Sequence, residues 1–148
     1  MVGSLFLTTS DSTFIESTII HYSTNSSYVV RFDNGENNSA QFIGFNLSSS
    51  SKGIYCELSS PQIKYNHINV NTYGIRCDSL SAPIITNNIF ENANRSIQIS
   101  GNASPYIFGN KFYLSANPVA YGIFVGFGSP RIENNMIISE NNETTTGI

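Results

Sequence analysis

Apolar and polar residues alternate in short runs along this chain of 148 residues, with the apolar ones two positions apart. In residues 73–78, for example, Ile75 and Cys77 lie on the same side of an alternating run. A period of two is that of a β-strand, whose successive side chains point to opposite faces. Gly, Pro, Asn and Ser gather between the runs, as they do at turns. The pattern therefore predicts many short strands rather than helices.

One phrase recurs along the chain with the pattern small–Pro–x–Ile–x–x–Asn–x–apolar. It occupies residues 60–68, 82–90, 104–112 and 129–137, and its prolines are 22, 22 and 25 residues apart. A weaker copy without proline covers residues 41–47. A second phrase, an alternating apolar run, recurs with the same period at 28–33, 52–57, 73–78, 95–100 and 121–126. Two interleaved phrases that share one period indicate a repeat protein.

The length of the repeat decides the architecture. Short strands cannot bury a face alone, but coils stacked in one sense bury a continuous core. Propeller blades need about 40 residues per repeat, and the regular leucines of leucine-rich repeats are absent from this sequence. We therefore predict an all-β, parallel β-helix solenoid of roughly six coils, with about 20–28 residues per coil.

The solenoid is predicted to fill a single domain over residues 1–148. Residues 40–148 are expected to form regular coils and residues 1–39 irregular first coils. The sequence shows no amphipathic capping helix at either end. Because an uncapped solenoid exposes strand edges and apolar core, we expect the chain to continue in a longer solenoid or to stack end to end on other copies.

Five asparagines occupy the same place in successive copies of the first phrase, and we expect them to form one line along the solenoid. Asn tolerates the left-handed backbone region, which suits a tight bend between strands. Its amide can also donate to the amide of the next coil and satisfy buried polar groups. The predicted line contains Asn46, Asn66, Asn88, Asn110 and Asn135.

The proline–isoleucine–asparagine phrases, alternating with the Gly-Ile runs, resemble the right-handed parallel β-helix repeats of pectate-lyase-like proteins. The resemblance covers residues 40–148 well and residues 1–39 loosely. It implies right-handed winding and an extracellular or cell-surface location. The family includes polysaccharide lyases, glycoside hydrolases and epimerases, together with surface proteins without enzyme activity. The resemblance therefore specifies the fold and leaves the activity open.

Superposition of the second phrase predicts two outward columns, each with one residue from every coil. Neighbouring coils are about 4.8 Å apart, so three carboxylates would stand in line beside two guanidinium groups. Such a trio could bind a divalent cation or supply the carboxyl pair of glycoside hydrolysis. We favour the simpler interpretation, in which the trio belongs to a solvated row of ion pairs. The columns are Arg31, Tyr55, Arg76, Gln98 and Phe124, and Asp33, Glu57 and Asp78.

The remaining candidate groups are two cysteines and several aromatic side chains. Cys56 and Cys77 are one coil apart on inward positions, where they could be stacked buried thiols or a disulfide. No second cysteine pair or histidine accompanies them in a zinc-binding pattern. The aromatics Tyr55 and Phe124, with Tyr106 and Phe127, could face outward and contact sugar rings.

The charge and composition of the chain disfavour some classes of function. Only 11% of the residues are charged and the net charge is −3, which disfavours binding to nucleic acid. No run of 18 apolar residues predicts a membrane span, and the first residues lack a secretory signal pattern. We predict a non-catalytic scaffold or a surface, adhesive segment that could bind carbohydrate. The alternative is a polysaccharide-processing lyase or glycoside hydrolase, or a fragment of one, that uses Asp33, Glu57 and Asp78 with Arg31 or Arg76.

Overall fold

Sixteen short strands make up most of the described part of the chain, which in this computed structural model comprises residues 19–22, 28–49, 51–115 and 119–139. No helix occurs among these residues, as the alternating pattern predicts. The strands are β1 (Ile19–Tyr22), β2 (Tyr28–Phe32), β3 (Gln41–Ile43), β4 (Asn46–Ser49), β5 (Lys52–Glu57), β6 (Gln62–Lys64), β7 (His67–Val70), β8 (Tyr73–Asp78), β9 (Ile84–Thr86), β10 (Ile89–Glu91), β11 (Arg95–Ile99), β12 (Tyr106–Phe108), β13 (Lys111–Leu114), β14 (Tyr121–Val125), β15 (Arg131–Glu133) and β16 (Met136–Ser139).

Every third strand joins the same sheet, so the chain winds through three parallel sheets in turn. Sheet one has the order β1-β4-β7-β10-β13-β16, sheet two β2-β5-β8-β11-β14, and sheet three β3-β6-β9-β12-β15. The described strands thus form five complete coils and the first strand of a sixth, close to the predicted six.

The register is fixed along the whole solenoid. One column of partners in sheet one has members 27, 21, 22, 22 and 25 residues apart, which confirms the predicted coil length. These partners are Ile19, Asn46, His67, Ile89, Lys111 and Met136. The predicted irregular region 1–39 lies mostly outside the described residues.

The core is a set of inward columns, one or two from each sheet. In sheet two, the alternation of the second phrase turns two columns of side chains inward. The first, Ile54, Ile75, Ile97 and Ile123, has no exposed surface, and the second is buried at Cys56, Cys77 and Ile99. Val125, which the alternation would also bury, is 39% exposed because it is the last residue of β14, the edge strand of the sheet.

Four of the five strands of sheet two contain two consecutive buried residues, where strict alternation would give one. In β8, Gly74 and Ile75 are both buried, while Tyr73 and Arg76 on either side are partly exposed. A Cβ atom at Gly74 would clash with the carbonyl oxygen of Ser96 in the next coil. Glycine thus permits close approach of the coils at this point, and the break in alternation turns a second side chain of each strand outward.

Buried asparagines form a continuous hydrogen-bonded ladder. The Oδ1 atom of Asn88 accepts hydrogen bonds from the backbone N–H and from Nδ2 of Asn66, both at 3.0 Å. The same pair of bonds links Asn88 to Asn110 and Asn110 to Asn135. Each Nδ2 also donates to a backbone carbonyl, as Asn88 does to Ile63 at 2.9 Å. The predicted ladder is therefore confirmed for these four residues.

Asn46 does not belong to the ladder, and this part of the prediction is wrong. Phe42 is the register partner of Ile63, so the phrase lacking proline is shifted by one residue and Phe45 occupies the ladder position. The backbone N–H of Phe45 donates to Asn66 Oδ1 at 3.0 Å. Asn46 itself is paired with His67 in sheet one and is partly exposed.

The ladder asparagines also do not adopt the left-handed backbone that the sequence analysis assigned to them. That conformation belongs to the residue immediately before each ladder position, which turns the chain from sheet three to sheet one. The residue before each ladder position is Gly, Asn or Tyr, so the bend itself does not require asparagine. Asparagine stands at the ladder position because of its side-chain hydrogen bonds. The left-handed residues are Gly44, Tyr65, Asn87, Gly109 and Asn134, with φ of 73°, 54°, 55°, 66° and 53°.

The two cysteines are register partners in β5 and β8, and both are free, fully buried thiols. The stacked-thiol prediction is confirmed and the disulfide alternative is not observed. Burial raises the pKa of each thiol, and the second thiol adds to this effect at Cys56.

We expect Asn88→Ala to lower the free energy of unfolding by about 3 kcal/mol, because it removes the acceptor of the buried N–H groups of Asn66 and the side-chain donor to the Ile63 carbonyl. Urea denaturation followed by circular dichroism measures this change. The matched control is Asn46→Ala, which removes an asparagine outside the ladder and should cost only about 0.5 kcal/mol. Equal losses for the two variants would contradict the assignment of the ladder.

We expect stability to fall at alkaline pH because of the thiols. Each thiol ionises near its ordinary pKa of 9.0 in the unfolded chain but stays neutral in the folded one. The unfolded state therefore binds fewer protons above that pH, and stability present below it is lost as pH rises. The two thiols should lower the free energy of unfolding by roughly 2.5 kcal/mol between pH 8 and pH 10.

The control for this pH dependence is a double variant with Cys56→Ala and Cys77→Ala. Both proteins retain all tyrosines, so the difference between their pH profiles isolates the thiols. Parallel profiles for the two proteins over this range would show that the thiols do not ionise on unfolding as expected.

Candidate functional site

The outer surface of sheet two carries all the candidate residues of the acidic and arginine columns, and we call it the sheet-two face. Each strand contributes one side chain to each of two parallel columns, and a third column lies at the ends of the strands. The first column was not predicted from the sequence, and the second has the predicted members. In the third column, Glu57 and Asp78 are register partners. The first column is Tyr28, Lys52, Tyr73, Arg95 and Tyr121, and the second is Arg31, Tyr55, Arg76, Gln98 and Phe124.

The carboxylates of the third column are bound by side chains of the same face. Arg31 Nη2 lies 2.7 Å from Asp33 Oδ2, and Arg76 Nη2 lies 2.7 Å from Asp78 Oδ2. Glu57 accepts a hydrogen bond of 3.2 Å from Ser79 Oγ. In each ion pair the arginine precedes the aspartate by two residues, so an alternating strand places both on one face.

The acidic column does not gather into a metal site. Across residues 19–22, 28–49, 51–115 and 119–139, no three His, Cys, Asp or Glu side chains are grouped so that they could hold a metal ion. The column positions keep Asp33, Glu57 and Asp78 in line along the solenoid, each with its own partner.

Tyr55 lies at the centre of the arginine-rich half of the face. Its ring stacks on Tyr28 with 4.9 Å between centroids, and the guanidinium carbons of Arg31 and Arg76 lie 4.8 and 6.0 Å from its centroid. Burial, followed by the negative charges of Glu57 and Asp78, raises the pKa of Tyr55. A sugar ring could stack on Tyr55 only by displacing one of these neighbours.

Tyr28 reaches across this half of the face toward Arg76. The Tyr28 hydroxyl and Arg76 Nε are both buried, and neither makes a hydrogen bond of good geometry. The two groups are nevertheless close enough to affect each other. Burial raises the pKa of Tyr28, and the positive charge of Arg76 partly opposes that effect.

Arg95 dominates the other half of the face, in the fourth and fifth coils. Its guanidinium carbon lies 4.2 Å from the ring centroid of Phe124 and 5.9 Å from the centroids of both Tyr73 and Tyr121. Its Nη1 donates to Gln98 Oε1 at 2.9 Å. The sequence analysis missed this cluster because strict alternation places residue 95 one position out of phase with the outward columns. The recurrence of Tyr, Lys or Arg at the start of each second phrase was the available signal.

A shallow depression of about 310 Å³ adjoins Arg95. Its wall combines an aromatic ring, a hydroxyl, an amide, a guanidinium and one exposed aliphatic side chain. Such a mixture of apolar surface and a few polar groups is typical of small-ligand sites. The lining residues are Thr72, Tyr73, Asn94, Arg95 and Val119.

The other outward aromatics predicted from the sequence lie away from this face. Tyr106 is in sheet three, where its hydroxyl donates to Glu133 at 3.1 Å and Arg131 stands 5.0 Å above its ring. The hydrogen bond from Arg131 lowers the pKa of Glu133. Phe127 follows β14 and is 65% exposed.

A separate contact between a histidine and a carboxylate lies on sheet one. His67 Nε2 is 2.9 Å from Glu91 Oε2, and the two residues belong to neighbouring strands. This contact therefore links two coils.

Comparison with protein-family models gave a match to the right-handed beta helix region over residues 2–142. Comparisons with curated proteins and with solved structures gave no match. The part of the chain that the structure describes has no helix long and apolar enough to cross a bilayer. The family match covers nearly the whole chain and agrees with the parallel stacked coils of the structure. This chain belongs to the right-handed β-helix family.

Proposed function

We propose that this protein is a non-catalytic β-helix scaffold whose sheet-two face binds glycan. The observation that carries the proposal is the pairing of the acidic side chains. Asp33 pairs with Arg31 and Asp78 pairs with Arg76, each at 2.7 Å. Glu57 accepts a hydrogen bond from Ser79. All three carboxylates thus have a structural role in the packing of the face.

Glycoside hydrolysis makes a different demand on a carboxyl pair. One carboxyl must donate a proton to the leaving oxygen, while the other acts as nucleophile or base. Asp33 and Asp78 are each held by a guanidinium two residues earlier in the chain, so neither is positioned to face a glycosidic oxygen without breaking its ion pair. The arrangement supports the scaffold over the lyase or hydrolase alternative.

The rigidity of the solenoid supports the scaffold as well. The asparagine ladder joins four coils through buried hydrogen bonds, and six cation–π contacts tie neighbouring coils on the sheet-two face. Binding sites built on such fixed elements lose little conformational entropy when a ligand binds.

The depression beside Arg95 supports glycan as the ligand class. Thr72 and Arg95 offer groups that can hydrogen-bond to sugar hydroxyls, and the Tyr73 ring offers apolar surface for the carbon face of a sugar. An extracellular or cell-surface location is consistent with this proposal and follows from the family resemblance noted above.

Incubation of the protein with a panel of neutral and acidic polysaccharides tests the catalytic alternative. We expect no release of reducing ends and no unsaturated sugar products, measured by a reducing-end assay and by ultraviolet absorbance. Turnover that disappears in Asp78→Asn, while Arg131→Gln retains it, would overturn the non-catalytic proposal. Arg131 is the appropriate control because it forms the same type of i,i+2 ion pair on sheet three.

A further inference from the structure

Arg95 differs from every other arginine of the chain in its electrostatic surroundings. The sequence contains four arginines, and three of them are followed two residues later by a carboxylate with which they pair. The residue two positions after Arg95 is Ile97, which is buried in the core. Within the described ranges, no carboxylate lies within ion-pair distance of Arg95. No carboxylate of the described residues therefore neutralises the positive charge of this side chain.

The acidic column ends just before the coil that contains Arg95. Its members are Asp33, Glu57 and Asp78 in the first three coils, whereas Ser100 stands at the corresponding place in the fourth coil and Gly126 in the fifth. Negative charge is thus confined to one half of the sheet-two face. The other half has a cation and uncharged neighbours, although the chain as a whole has a net charge of −3.

Three aromatic rings hold the Arg95 guanidinium in place. Phe124, Tyr73 and Tyr121 surround it at 4.2 to 5.9 Å, so ring quadrupoles stabilise its charge without using its hydrogen-bond donors. Its Nη1 donates to Gln98. The guanidinium carries five N–H donors, and the described residues provide no second acceptor for them. Donors therefore remain for a ligand in the adjoining depression.

We propose that Arg95 is the anion-recognition residue of the sheet-two face, and that the glycan it binds carries a carboxylate or a sulfate ester on the sugar in this depression. This inference depends on the proposed glycan binding. The planar guanidinium matches the two oxygens of a carboxylate or sulfate in a bidentate hydrogen bond. Tyr73 provides apolar surface beside that bond for the sugar ring.

Lys52 is the most similar cation on the face, and comparison with it explains the choice of Arg95. Its ammonium lies 5.5 Å from the Tyr28 ring, in the half of the face that carries the acidic column. An anionic ligand there would meet the field of Asp33 and Glu57. The half of the face around Arg95 has no such opposing charge.

Three tetrasaccharides with one backbone test the proposal: a neutral β-1,4-glucan, its C6-carboxylate form and its 6-sulfate form. Binding is measured by calorimetry, and the Nε–Hε signal of Arg95 is followed by NMR. We expect at least one anionic form to bind about tenfold more tightly than the neutral form, as a charge-assisted hydrogen bond provides. That form should shift the Arg95 signal, and added salt should reduce its advantage. The carboxylate and sulfate arms identify which anion is preferred.

Two variants separate recognition by Arg95 from general effects. Arg95→Gln should remove the preference for the anionic form and retain binding of the neutral one, while Arg95→Lys should keep part of the preference without the bidentate geometry. Arg131→Gln, at an ion-paired arginine over Tyr106 on sheet three, is the control and should leave the preference unchanged. Circular dichroism verifies that each variant is folded.

The outcomes distinguish the two proposals. Equal binding of the neutral and anionic forms by the native protein, or an unchanged preference in Arg95→Gln, overturns the role of Arg95 and leaves glycan binding supported. Absence of binding to all three tetrasaccharides overturns both proposals.

Discussion

The in-register stacking of parallel coils is the constraint on which the rest of this structure depends. Backbone hydrogen bonds connect each strand to its equivalent in the next coil, so equivalent side chains are held roughly 4.8 Å apart in columns. Side chains of one type therefore stack on one another, and such a column is stable only when its members pack together or hydrogen-bond to one another. Isoleucines pack on isoleucines inside the solenoid, asparagine amides bond to asparagine amides, and outside it rings alternate with cations. A binding site on the surface of the sheets therefore consists of side chains from these columns.

Much of this arrangement was predictable from the sequence because a strand period and a coil period together fix most positions. The core column through Ile75, the stacked cysteines and the outward column through Arg76 all follow from superposition of the repeats. The prediction of the asparagine line failed at the copy of the repeat that lacks its proline. The copy at residues 41–47 has no proline, so its register was misplaced by one residue and Asn46 was put in place of Phe45.

The candidate site was less predictable than the fold. The break in alternation at Gly74 depends on a close contact with the backbone of the next coil, which no sequence period reveals. That break turns the column through Tyr73 and Arg95 outward. Ion pairs such as Arg76–Asp78 could be anticipated from their spacing, whereas the isolation of Arg95 depends on what surrounds it in three dimensions. Arg95 is distinguished as a candidate because its surroundings differ from those of the other arginines.

The asparagine ladder has a direction. Each side-chain oxygen receives protons from the preceding coil, and each amide nitrogen offers protons to the following one. At the Phe45 end, a main-chain N–H suffices to begin the series, so any residue type except proline can stand there. At the Asn135 end, Nδ2 donates to the main-chain carbonyls of Ile107 and Glu133, so the series closes without an acceptor from a further coil. Main-chain groups thus close the ladder at both ends, and the side-chain amide is needed only at the four positions from Asn66 to Asn135.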